Sequence, residues 1–150
     1  MSTADAVWPG GSPAVGDRVQ RSRRVSRADI ERFTEIRATA IRCTTTRRLP
    51  KGSHFGGIVV QGGVTTAILN AVVAEDLPGP GTVFLNVTWD FRAPVRPKDT
   101  ITEEVEVVDM RHDKPVTRLR TKVVLRRRHH CRGGHRRVLH DATVKPRTRR

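Results

Sequence analysis

Fourteen residues, VTTAILNAVVAEDL from Val64 to Leu77, constrain this chain's fold more than any other segment. Val64, Ala67, Ile68, Ala71 and Val72 recur at helical spacing, and small residues fill most of the positions between them. A helix apolar over so much of its surface must be enclosed by the rest of the fold. Gly62 and Gly63 precede it and Pro78 bars its continuation, which predicts a buried helix over about 62–76. The period then changes. Val83, Leu85, Val87, Trp89 and Phe91 alternate with Phe84, Asn86, Thr88, Asp90 and Arg92. Ile101, Val105 and Val107 share one parity of a second run, and Leu119, Thr121, Val123 and Leu125 alternate with basic residues in a third. Period-two runs separated by APVRPKD and RHDKP predict strands over 82–92, 100–109 and 116–125, with their charges on a solvated face. One buried helix followed by three long strands with short turns implies an α+β domain whose antiparallel sheet packs on that helix.

The rest of the chain is less regular. Residues 1–14 are rich in Gly, Pro and small side chains and read as a flexible N-terminal lead-in. Ser26 followed by Asp29 has the form of a capping box, and Ile30, Phe33 and Ile36 follow at helical spacing, predicting a short amphipathic helix over 27–36. The net charge of +14 invites a nucleic-acid reading, but its distribution argues against one. Windows 37–50 and 126–150 hold 14 of the 29 basic residues and one acid, Asp141; the remainder carries 15 basic and 14 acidic side chains. This is a nearly neutral domain over 15–125 with two basic windows, the second an irregular basic tail. No apolar run is long enough to span a membrane, no signal-peptide pattern opens the chain, and Cys43 and Cys131 alone make no disulfide framework, so a cytoplasmic location is expected.

The stretch LPGPGTVFLNVTWDFRAPVRPKDTITEEVEVVDMRHDKP closely resembles the MaoC-like family of (R)-specific enoyl-CoA hydratases, as do VGDRVQRSRRVSRADIERFTEI and FGGIVVQGGVTTAIL. The resemblance covers roughly 15–125 and implies a hot-dog fold, a central helix wrapped by an antiparallel sheet, as a homodimer or double-hotdog unit. It implies lyase chemistry of fatty acid metabolism on acyl thioesters of coenzyme A or acyl carrier protein, without metal or redox cofactor. In that family a loop G-D-x-N-P-x-H supplies an Asp and a His that hold and activate water. Here those positions carry Thr39 and Thr44, which as written cannot act as bases near neutral pH. The resemblance also places Gly62 as the backbone N–H donor to the thioester oxygen, where a side chain would block the thioester's approach. It makes Gln61, Gly62, Gly63 and Val64 the substrate-binding segment. Gln61 stands where the family usually has His. The acyl tunnel is expected between the central helix and the strand from Val83 to Phe91.

Between the orderly segments ADIERFTEI and KGSHFGGIVVQGG lies RATAIRCTTTRRLP, which has no periodicity and no acid. A one-base shift of reading frame accounts for it. Joining each preceding wobble base to the first two bases of the next codon lets this window read TGDRNPMHYDEAAA, with the family Asp and His falling on positions 39 and 44. The opposite shift lets the tail after Arg126 read DGTTVVEGTAVCYTTPP, a turn followed by an alternating last strand, with a stop codon at positions 144–145. The alternative is a diverged loop in a non-catalytic hot-dog protein that binds thioesters or a partner subunit. A weaker alternative assigns the tail HHCRGGHRRVLH to nucleic acid or zinc, but its spacing fits no standard zinc pattern and it lacks aromatic residues for stacking.

Overall fold

The computed structural model describes Trp8, residues 11–37, 57–111 and 113–126, and the backbone of 136–146. Its elements run β1 (Arg18–Arg24), α1 (Arg27–Arg37), α2 (Gly62–Glu75), β2 (Thr82–Asp90), β3 (Thr100–Met110), β4 (Thr117–Arg126) and β5 (Arg136–Pro146). The strands form one sheet in the order β1-β3-β4-β5-β2, with every neighbouring pair antiparallel.

The predicted central helix is α2, and its apolar surface is enclosed as expected: Val64, Ile68, Leu69, Val72 and Val73 are all buried. The helix divides the core in two. Near its N-terminus Val64 and Ile68 pack with Val25, Ile30, Val95, Ile101, Val123 and Leu125. Near its C-terminus Leu69, Val72 and Val73 pack with Val105, Val107 and Leu119. The inward parities of β3 and β4 are those the sequence predicts. At the C-terminus of α2, Arg21 of β1 reaches Glu75 at 2.8 Å and Asp76 at 2.6 Å, tying the sheet edge to the helix end.

Helix α1 starts on the predicted capping box. The Asp29 N–H donates to Ser26 Oγ at 3.2 Å, and the Ser26 N–H donates back to Asp29 Oδ2 at 2.8 Å. Burial would raise the Asp29 pKa, but the Ser26 donors and nearby Arg23 outweigh it and hold the carboxyl below its usual range. Ile30 is buried and Phe33 packs on the core, whereas Ile36 departs from the expected stripe and is 81% exposed.

Strand β1 was not among the expected elements, since it has no apolar alternation; it is held by β3, whose residues meet it in a register that sets Arg18 opposite Glu106 and Ser22 opposite Thr102. Those two pairs close at 2.8 Å each. In β2 a bulge between Phe84 and Asn86 switches the parity. Phe84, Val87 and Trp89 therefore pack on the core, while Val83 and Leu85 face outward. The tail is corrected too. Residues 136–146 are not irregular: their backbone forms β5 between β4 and β2, with Val138 opposite Val123 and Ala142 opposite Leu119. Without it both neighbouring strands would present unpaired backbone edges. Of the odd window 37–50, Arg37 ends α1 and positions 38–50, with Thr39 and Thr44, lie outside the described residues.

Candidate active site

The first turn of α2 is built to leave backbone donors available. Gln61 is the N-cap residue in an extended conformation, no side chain caps the helix, and its first turn carries no acid. The free N–H groups and the positive end of the helix dipole are thus not neutralised from within the helix. The Val64 N–H folds back onto the Gln61 carbonyl at 2.9 Å. Thr65 and Thr66 donate to the carbonyls of Gly62 and Gly63, so their hydroxyls do not compete for the N–H groups.

Three segments hold this helix start in place. Buried Gln61 donates from Nε2 to Thr34 Oγ1 at 3.4 Å, and Thr34 Oγ1 donates to the Ile30 carbonyl, which links α1 to the start of α2. The Val60 N–H donates to the Val95 carbonyl at 2.8 Å, bringing the APVRPKD turn alongside. That turn is fixed in its own right. The Arg96 N–H donates to Asp99 Oδ2, and Val25 exchanges backbone bonds with Lys98 and Asp99. Lys98 sits at φ 77°, the left-handed region, so the chain reverses there.

Between these parts lies a cleft of about 430 Å³, walled by Val60, Thr65, Ala93, Val95 and Val123, with Gly62 at its edge. The walls are largely apolar, and Arg92 is the one titratable residue lining the cleft among the described residues. A guanidinium stays protonated and cannot serve as a base.

Of the four residues expected to bind substrate, Gly62 lines the cleft. The others stand behind it: Gln61 against Thr34, Gly63 against the Phe33 ring, and Val64 in the core. At Gly62 the structure shows a constraint that the sequence did not announce. A Cβ there would lie 2.8 Å from Cζ and 2.9 Å from Cε1 of Phe91, so the space is already taken by that ring. The expected tunnel wall from Val83 to Phe91 contributes Phe91 alone, because the bulge turns Val83 and Leu85 outward.

The sequence reading missed Glu103. It lies wholly buried on the inward parity of β3, opposite Arg21 on one side and Val123 on the other. Neither carboxylate oxygen has a hydrogen-bond partner among the described residues. Burial pushes its pKa up to about 7, against the pull of Arg21 and Arg23. The signal was present, since Glu103 shares the parity of Ile101 and Val105, but the acids at 104 and 106 hid it within an acidic run.

Comparison with known proteins agrees with this architecture. The model of the MaoC-like domain family matches residues 13–127. The chain is similar to the (R)-specific enoyl-CoA hydratase of Aeromonas caviae, 27% identical over 131 residues, 87% of this chain and 93% of that protein. It is also similar to the 3-hydroxybutyryl-CoA dehydratase of Methylorubrum extorquens, 32% identical over 95 residues, 63% of this chain and 60% of that one. The solved structure of the Aeromonas caviae (R)-hydratase superposes with a TM-score of 0.78, covering 90% of this chain and 98% of that one. A Mycobacterium tuberculosis protein described as a double hotdog fold superposes at 0.67 with 21% identity, over 90% of this chain and 39% of the other. A single helix enclosed by one antiparallel sheet, with a family match across most of the chain, places this protein in the MaoC-like domain family with a hot-dog fold.

Proposed function

We propose that the site hydrates trans-2-enoyl thioesters to (R)-3-hydroxyacyl thioesters and catalyses the reverse dehydration, once its loop carries the acid–base pair. The observation that carries this reading is the uncapped, acid-free N-terminus of buried α2, opening with Gly62 onto an apolar cleft. Adding water across the double bond builds negative charge on the thioester oxygen as an enolate, and fixed N–H donors at a helix N-terminus stabilise charge at that point. One group takes the proton of water as its oxygen bonds to C3. A second returns a proton to C2, so the atoms balance without metal or redox chemistry.

The described cleft contributes an oxyanion donor and a binding surface but no base. The family resemblance assigns the acid and base to the loop at 37–50, where Thr39 and Thr44 stand in the chain as written. The shifted frame TGDRNPMHYDEAAA supplies both. A chain that truly carries the threonines would bind thioesters without turning them over, the second reading that Thr39 and Thr44 favour. The nucleotide sequence of codons 37–50 decides between them. If it spells the motif in the shifted frame, the protein with that loop should convert crotonyl-CoA to (R)-3-hydroxybutyryl-CoA. The S product, or none, would contradict the assignment.

A homodimer fits the outward-facing Val83 (43% exposed) and Leu85 (57% exposed) on edge strand β2, and light scattering should give twice the chain mass. No helix among the described residues is long and apolar enough to cross a membrane, in keeping with work on cytoplasmic thioesters carried by coenzyme A or acyl carrier protein.

A further inference from the structure

Phe91 is a large apolar side chain left 55% exposed beside the site, and its position is specific. It follows the last residue of β2, shares the parity of Trp89 and stacks on that indole with ring centroids 6.5 Å apart and planes inclined by 25°. Trp89 packs on the core, so it anchors the inner side of the pair. The Phe91 ring reaches from there across the edge of the cleft to Gly62, at the distances given above.

A thioester carbonyl accepting from the Gly62 N–H would sit about 2.9 Å from that nitrogen, which puts the substrate's C2 within van der Waals reach of whatever lies against Gly62. We propose that Phe91 determines specificity at C2: its ring, backed by Trp89, admits straight-chain acyl thioesters and excludes those branched at the carbon next to the carbonyl. The proposal rests on the thioester-binding reading of the cleft. Among the described residues, the three atoms nearest to a Cβ built on Gly62 all belong to this ring. Removing it would open the space for a methyl group without touching the helix N-terminus, the Val60–Val95 bond or the buried walls.

The test needs no catalytic turnover, so the chain as written can be used. Butyryl-CoA and isobutyryl-CoA contain the same atoms and differ only in branching at C2, and calorimetry measures their affinities with free coenzyme A as a control. The unaltered protein should bind butyryl-CoA at least ~10-fold more tightly than isobutyryl-CoA, the discrimination a misplaced methyl group produces in a packed pocket. In Phe91→Ala the two affinities should converge, mainly because isobutyryl-CoA binds more tightly, and Phe91→Leu should fall between. An unchanged affinity ratio in both variants, with butyryl-CoA still bound, overturns the role of Phe91 alone. Failure of the unaltered protein to bind butyryl-CoA more tightly than free coenzyme A overturns the thioester reading and this proposal with it.

Discussion

At the scale of single residues, the buried carboxyl of Glu103 makes stability depend on pH. Folding moves it from water to a site flanked by Ile101 and Val105, with no hydrogen-bond partner among the described residues. An isolated charge is costly there, so the group holds its proton. Its pKa rises from the ordinary 4.5 to about 7. The folded chain thus binds this proton more tightly than the unfolded one. The associated stability is fully present below pH 4.5 and is lost as the pH rises through about 7. The loss is on the order of 3 kcal/mol. Glu103→Gln keeps the shape and removes the titration, so its advantage over the unaltered protein should grow from pH 5 to pH 8. Urea unfolding at the two values checks this, and an equal difference at both would contradict it. Reading the strand charges as a solvated face fits Glu106, which pairs with Arg18 at the surface, and fails at Glu103. Parity decides that distinction, and residue type does not.

Elements differ in how plainly the sequence announces them. Helix α2 and strands β3 and β4 were legible because burial imposes a period on their apolar residues. Strand β1 was not, since RVQRSRR holds one apolar residue and takes its structure from β3. The bulge in β2 escaped notice because Val83 and Leu85 keep a perfect alternation that the backbone breaks. The start of α2 was legible in its glycines but not in the two rings packed on them, Phe91 at Gly62 and Phe33 at Gly63. Those rings predict different costs. Gly62→Ala would press its methyl on the Phe91 ring, which Trp89 backs, and alanine's helix preference of about 1 kcal/mol offsets that strain. Stability should change little. Gly63→Ala meets the Phe33 ring, which packs on the core, so overpacking of about 1–3 kcal/mol should appear as a lower urea midpoint. Equal midpoints for the two variants would contradict this packing.

For the whole molecule, the charge of +14 said little about function until its distribution was known. The domain proper is nearly neutral, and even the basic tail enters the sheet through the backbone of 136–146. The strand order β1-β3-β4-β5-β2 was beyond the sequence, because it depends on long-range pairing and on β5, whose residues carry no signal strong enough to mark a strand. The proposed function has the start of α2 supply the oxyanion donor and positions 39 and 44 supply the acid and base. Since β5 closes the sheet with the sequence as written, replacing 37–50 alone should suffice to restore activity. The most direct measurement is crotonyl-CoA hydration by three proteins: the chain as written, the chain with TGDRNPMHYDEAAA at 37–50, and that repaired chain with Thr returned to positions 39 and 44. The second should hydrate the substrate. The first and third should be slower by at least about 10²–10⁴-fold, the contribution of a general acid–base group. Equal rates in the second and third proteins, or hydration by the chain as written, would contradict the account.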